Sequence, residues 1–327
     1  MSENKVKILV GYHKPATLLK DDVFVPIHLG RALATTASKD GKMSKEDYQW
    51  MLDNMIGDDT GDNISELNRY FCETTAMYWA WKNYEKLGNP EYIGFMHYRR
   101  HFLFSDSNLN NNYEWGEKHI PKITSKYLYE HGIEEFHVKK FLNKNYYDII
   151  STQPYQTLDS VLENYERIIP HVKKENLLLA VDIISNLFPE YYKSTINYIN
   201  NNHNYWYHSF IMKKDLFYKY CEFLFSVLFE LHKLIKYPEK INYSEEQREC
   251  AYIAERVHGA WLCKMNEEHK KITSLPISLI MNTEDRLKPY YIRLIKDLIG
   301  LGYYKIKQNK AKQKDYIARL KLENNLK

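Results

Sequence analysis

The chain has 327 residues, 44% hydrophobic and 27% charged, with 46 Lys and Arg against 42 Asp and Glu, a net charge of +4. That balance excludes wholesale disorder, and the length suits one large domain or two small ones. The basic excess is local: eight Lys and Arg against Asp315 and Glu323 follow Tyr303, leaving about −2 elsewhere, so a general nucleic-acid binder is excluded.

Cys72, Cys221, Cys250 and Cys263 show no CxxC pairing or zinc spacing and read as buried thiols of a reducing compartment. The apolar stretch after Lys7 is too short for a signal peptide, and no apolar run reaches membrane-spanning length, so a soluble cytoplasmic protein is expected. The 29 tyrosines suit sugar binding, since a ring covers apolar C–H patches while its hydroxyl hydrogen-bonds. Compositional drift toward Tyr, Asn, Lys and Ile is the weightier explanation of their number.

In chain order, Val6 to Tyr12 reads as a buried parallel strand, followed by a loop at His13-Lys14-Pro15. Met43 to Met55 predicts a short helix, and 57–63 (GDDTGDN) a turn-rich loop. Asn63 with Glu66 forms a capping-box pattern for a helix running to about Tyr84. Tyr92 to Met96 predicts a second strand, ending at His97-Tyr98-Arg99-Arg100, and 105–118 an Asn-rich loop. Tyr146 to Ser151 predicts a third strand, with helices over 157–168, 175–188 and 190–201. Trp206 to Met212 returns as a strand. From Asp215 nearly everything reads as helical, with breaks near Pro238, Gly259, Pro276 and Pro289. The order indicates an α/β fold with a helical C-terminal part.

Ligands of open α/β sheets bind beyond the carboxyl ends of strands. Tyr12-His13-Lys14 and His97-Tyr98-Arg99-Arg100 fall there. Paired arginines offer planar forks of donors to a diphosphate. The structural alternative is that one arginine pairs with an internal carboxylate while the other faces solvent. Asp58, Asp59 and Asp62 lack calcium-loop spacing and are largely explained by turn formation, yet three carboxylates also suit a ribose hydroxyl or a divalent cation. Phosphate-loop, GxGxxG, HExxH and GxSxG motifs are absent, which removes the usual support for kinase, dehydrogenase, zinc-protease and serine-hydrolase readings.

The segments ILVGYHKP (8–15), GDDTGDNIS (57–65), YFCETTAMYWAWKN (70–83) and YIGFMHYRRHF (92–102) resemble a bacterial capsule and exopolysaccharide family, domain of unknown function 4422. YYDIIS (146–151), FIMKKDLFYKYCEFLF (210–225) and the stretch from Arg248 to Arg256 agree in order. Members are regarded as glycosyltransferases, some of them galactofuranosyltransferases. The resemblance, over roughly residues 6–260, implies a GT-A-like, Rossmann-type nucleotide-sugar transferase domain, placed at 1–240; the residue patterns add a helical part over 241–302 and a basic tail over 303–327 that can fold as an amphipathic helix. It implies site positions at Tyr12, His13, Asp59, Asp62, Asn63, Glu73, His97, Arg99, Arg100, Asp182, Glu255 and Arg256. The chain departs from the family pattern at His208-Ser209 and at Lys173-Lys174-Glu175-Asn176.

The resulting expectation is transfer of a sugar, a furanose such as galactofuranose or a relative, from a nucleoside diphosphate, UDP, to a hydroxyl of a growing polysaccharide, with inversion. Tyr12, His13, Lys14, Asp59, Asp62, Asn63, His97 and Tyr98 would bind the donor, and Arg99 and Arg100 would stabilise the leaving diphosphate. Asp182 is the first candidate base, because an apolar helix (LLLAVDII) would bury it and raise its pKa, and Glu255 is the second. Glu73, His208, Arg248 and Arg256 would serve the acceptor or support the site. No DxD pair is present, its usual place being taken by His97 to Arg100, so Mn2+ or Mg2+ is an open question. The acceptor is expected to be lipid-linked, and the tail to touch the inner face of the membrane. The competing reading is a non-catalytic carbohydrate-binding or scaffold protein.

Overall fold

The computed structural model describes residues 5–37, 41–105, 117–169, 172–237 and 245–281. The tail at 303–327 and the end of the 241–302 segment lie outside the described residues. Among the described residues, twelve strands run in chain order: β1 (Val6–Tyr12), β2 (Phe24–His28), β3 (Ile56–Gly57), β4 (Tyr92–His97), β5 (Arg100–Phe102), β6 (Glu117–Ile120), β7 (Ile149–Thr152), β8 (Tyr155–Gln156), β9 (His203–Asn204), β10 (Phe210–Lys213), β11 (Ile272–Leu275) and β12 (Ile277–Ile280). The helices are α1 (Lys45–Asn54), α2 (Asn68–Phe71), α3 (Thr74–Lys82), α4 (Ser125–Glu130), α5 (Glu135–Asn145), α6 (Val161–Ile168), α7 (Lys174–Leu187), α8 (Pro189–Asn200), α9 (Lys214–Leu234) and α10 (Glu249–Glu267).

The main sheet has the order β11-β7-β10-β4-β1-β2-β3, with β5, β6 and β12 joined at one side. β1 pairs in parallel with β2 and β4, and β2 in parallel with β3. β10 runs antiparallel between β4 and β7. Its beginning therefore lies at the edge where β4 and β7 end, so residues 206–208 fall beside His97 to Arg99. The topology sets up that meeting.

Period-two alternation divides the core between the two faces of the sheet. On β1, Leu9 joins one apolar cluster with residues of α3, α7, α9 and α10, while Ile8 and Val10 join another with residues of α1, α4 and α5. α9 packs by the 3.6 period, burying Leu216, Phe217, Tyr220, Cys221, Leu224, Leu228 and Leu231. Burying each Leu or Phe contributes about 1.5–3 kcal/mol. All four cysteines are free thiols, but only Cys221 and Cys250 are buried. No helix among the described residues is long and apolar enough to cross a membrane.

Four expectations need correction. Residues 63–84 are not one helix: the chain breaks at Cys72, which has φ 45° and ψ −127° between α2 and α3. Gly259 does not break a helix but lies inside α10, where an added Cβ would stand 2.1 Å from the Tyr198 ring. Glycine lets α8 and α10 close. Residues 272–280 are strands, not helix, and return to the sheet beside β7 and β5. Finally, the strand expected from Trp206 to Met212 starts only at Phe210, because Tyr207 and His208 turn the chain with φ of 74° and 42°. β2 (FVPIH) was not among the expected strands, and its Pro26 argues against a central one. Proline is tolerated because β3 begins only at the level of Ile27.

Candidate functional site

The 58–63 loop is built for internal support. Asp58 is fully buried and accepts four hydrogen bonds: Gly30 N at 2.7 Å, Arg31 N at 3.1 Å, Ser65 Oγ at 2.6 Å and Thr75 Oγ1 at 2.6 Å. Burial pushes its carboxyl up, and those four donors oppose the rise. Asp59 pairs with Arg31 at 2.5 Å. Asp62 accepts from the Tyr78 hydroxyl at 3.2 Å, and Asn63 Oδ1 accepts from Ser65 N at 3.1 Å as a local turn rather than as the start of a long helix. Trp79 Nε1 donates to Thr60 O and Asn83 Nδ2 to Asp62 O, both at 2.8 Å, lashing the loop to α3. Asp58 fits a metal poorly, because both its oxygens face internal donors, and Asp59 and Asp62 each give one oxygen to an internal partner. Among the described residues no group of three His, Cys, Asp or Glu side chains converges on a cation position.

At the carboxyl end of β1, Tyr12 turns inward instead of toward a ligand. It is wholly buried, accepts from Leu19 N at 2.9 Å, donates to Thr17 O at 3.2 Å and stacks on Tyr98 at 5.5 Å. Tyr98 is buried as well. Both shape the edge from behind. His13 is exposed, with its ring 5.2 Å from Tyr98 and 6.2 Å from His97, and Lys14 beside it is partly exposed. His97 is held well below the usual histidine range, first by burial and then by the charges of Arg100, His13 and Arg99. Its ring is neutral at pH 7, and Nδ1 accepts from Arg99 N at 3.2 Å, which fixes the turn after β4.

The two arginines differ. Arg100 Nε donates to Glu117 at 2.6 Å, and its guanidinium lies 4.4 Å from the centre of the Tyr207 ring. β12 makes that pair by pairing with both β5 and β6. Arg99 has no carboxylate partner among the described residues. Its Nε is buried without a hydrogen-bond acceptor, and its guanidinium lies 5.6 Å from the Tyr98 ring. A buried guanidinium N–H with no acceptor among the described residues is costly to leave unmet, so this position suits an anion.

A set of acids faces these cations. Glu73 opens α3 directly after the kink at Cys72. Its carboxyl is pushed up to about 7, first by burial and next by the negative charge of Glu255, against Arg248 and Arg100. Glu73 is partly exposed although burial governs its carboxyl, which we read as a crevice at the Glu73–Glu255 pair. Glu255, on α10, accepts from Tyr207 N at 3.2 Å and from Arg256 Nη1 at 2.6 Å. Arg256 is buried, donates also to Tyr252 O and lies 5.1 Å from the Tyr165 ring, so it neutralises Glu255 from inside. His208 is buried with Nε2 2.5 Å from the Tyr220 hydroxyl, and burial lowers its pKa to about 3.

Asp182 contradicts the burial expected of it. It lies exposed on α7 between buried Val181 and Ile183, so desolvation supplies no reason for it to act as a base. The apolar string around it belongs to the inward face, and helical geometry turns Asp182 outward. Conversely, Glu117 and Tyr207 were missed. No spacing rule links them to Arg100, and only the β5–β12–β6 pairing and the start of β10 bring them together.

The antiparallel strand inserted between β4 and β7 in an otherwise mostly parallel central sheet gives a GT-A-like α/β fold, matching a glycosyltransferase structure. The chain belongs to the domain of unknown function 4422 (DUF4422) family, whose model matches residues 7–267. It is similar to a solved apo structure of the bifunctional glycosyltransferase WbbM, with a TM-score of 0.73 and 30% sequence identity. That likeness covers 88% of this chain but 48% of WbbM, so the chain spans about half of that protein's length. No curated protein matches.

Proposed function

We propose that the chain is an inverting glycosyltransferase that takes a sugar from a nucleoside diphosphate donor, UDP, and passes it to a saccharide hydroxyl. The observation that carries this reading is Arg99: a buried guanidinium N–H, unmet among the described residues, where β4 ends and one residue before Arg100, whose charge reaches an acid held near neutrality. Membership of the DUF4422 family and likeness to a bifunctional glycosyltransferase support it. The sequence segments shared with capsule and exopolysaccharide enzymes support a furanose donor and a lipid-linked acceptor at the cytoplasmic face of the membrane. Contact of the basic tail with that membrane rests on sequence alone.

In the proposed step the acceptor oxygen attacks the anomeric carbon while the bond from that carbon to the diphosphate breaks. The electron pair leaves with the nucleoside diphosphate, and Arg99 and His13 meet its charge. Arg100 is tied to Glu117 and adds longer-range positive potential. The acceptor proton passes to Glu73, whose pKa near 7 suits a general base at neutral pH. Glu255 is already engaged by Tyr207 N–H and Arg256, so its role is to keep Glu73 basic.

The test is release of UDP from a panel of UDP-sugars, including UDP-galactofuranose, with and without soluble saccharide acceptors. The reading predicts release from at least one donor, accelerated by an acceptor. Saccharide binding with no release from any donor would overturn it in favour of a non-catalytic binding protein.

A further inference from the structure

An aromatic wall stands next to the acid cluster, and its rings have no role in the step described above. β8 and β9 form a short antiparallel ribbon beyond the ends of β7 and β4. There Tyr155 stacks on Trp206 with ring centres 4.8 Å apart and planes 24° apart. Trp206 meets Tyr207 edge-on at 6.2 Å, and Tyr207 carries Arg100 against its ring while its N–H holds Glu255. The wall is therefore continuous with the acid cluster.

The backbone here is strained. Tyr207 and His208 have φ of 74° and 42°, and two successive bulky residues in that region cost about 1–3 kcal/mol each. The turn is retained by the Thr152 Oγ1 bond to Trp206 O at 3.1 Å and by the short contact between His208 and Tyr220. A relaxed turn would place the Tyr207 N–H away from Glu255 and the Trp206 ring away from Tyr155. Strain kept by several independent contacts beside a crevice is a mark of function.

We infer that Tyr155, Trp206 and Tyr207 form a saccharide subsite that receives the acceptor, stacking a sugar ring so that its hydroxyl reaches the Glu73–Glu255 pair. This rests on the transferase reading. Aromatic faces cover the C–H patches of a neutral sugar; Tyr155 and Tyr207 are partly exposed, while buried Trp206 backs Tyr155 from inside. His13 and Arg99, which gather on Tyr98 at the ends of β1 and β4, have the cationic character suited to the diphosphate. Neutral ring and charged diphosphate thus have separate walls.

Saturation-transfer NMR on the full chain tests the inference, with lactose, maltose and UDP as probes. Ring C–H protons of at least one disaccharide should receive saturation, and Tyr155→Ala should weaken that signal about tenfold, the scale of one lost aromatic contact. Tyr155→Phe should restore the signal, and UDP contact should persist in both variants. Loss of the UDP signal in Tyr155→Ala with the sugar signal intact would overturn the proposal, making the wall a nucleobase platform. Disaccharide signals unaffected by Tyr155→Ala, or absent from the wild type, would also overturn it. If UDP fails to contact the wild type while the sugars do, the transferase reading fails and the saccharide subsite stands.

Discussion

The 58–63 loop and the Glu73–Glu255 crevice are both acidic, yet they are in opposite chemical states. In the loop each carboxylate is met by internal partners: four donors for Asp58, Arg31 for Asp59 and Tyr78 for Asp62. In the crevice Glu73 has a like charge for a neighbour and is pushed up to about 7. A carboxylate with all its partners supplied stabilises the fold, while one held near neutrality is available for proton transfer. The two regions are also mechanically joined. Asp58 holds Thr75, Asn68 Nδ2 donates to Thr75 Oγ1 and to Cys72 O, and that kink places Glu73. The loop serves the site by aiming it.

Removing the crevice acid should have the largest effect on catalysis. Glu73→Gln should lower turnover about a hundredfold to ten-thousandfold, the range for losing a general base. Wild-type kcat should rise as pH increases through about 7, because the base must be unprotonated, and the variant should lose that inflection. Stability gives the opposite slope. Folded Glu73 keeps its proton above the ordinary carboxylate value of 4.5, so its contribution is full below 4.5 and is lost as pH rises through about 7. Buried histidines such as His28 and His101, whose pKa values burial lowers to about 4, add stability as pH rises over the same range, so the measure is the difference in denaturant midpoints: from pH 4 to 8 the wild type should lose stability relative to Glu73→Gln.

Removing the loop acid should instead be felt by the fold. Asp58→Ala leaves buried donors without an acceptor and should cost about 3 kcal/mol or more in denaturant unfolding. Activity in the surviving folded fraction should fall because the Cys72 kink relaxes. An Asp58→Ala variant of wild-type stability would break the contrast between the two regions. Chelation should matter less, since the loop acids are engaged internally: turnover should persist in EDTA, and its complete loss with recovery in manganese would contradict that. The smallest effect belongs to Asp182→Asn, which should change stability by less than about 0.5 kcal/mol, as for an exposed residue, and leave kcat intact.

Much of the sheet was legible because its central strands are uninterrupted apolar runs: β1 matches the reading from Val6 to Tyr12, and β4 lies within a residue of it. β11 and β12 were not, since Pro276 and a preceding helical stretch masked two short strands whose pairing partners lie far back in the chain. The site was legible in pieces. HYRR could be placed at a strand end, but which arginine is engaged depends on Glu117, seventeen residues away and joined through β12. Asp182 misled because an apolar string does not reveal which face of a helix each member occupies. Glu73 entered only through family resemblance, and its environment is made by a kink that local propensity does not announce.

The central claim is that Arg99 holds the leaving diphosphate, and calorimetric titration of UDP into the wild type and Arg99→Ala, both in EDTA, tests it most directly. The account predicts that the wild type binds and that the variant loses about a hundredfold in affinity, as for removal of a buried, charge-assisted contact to phosphate. Circular dichroism should be unchanged. Equal affinity in the two proteins would contradict the assignment of this strand end to the diphosphate.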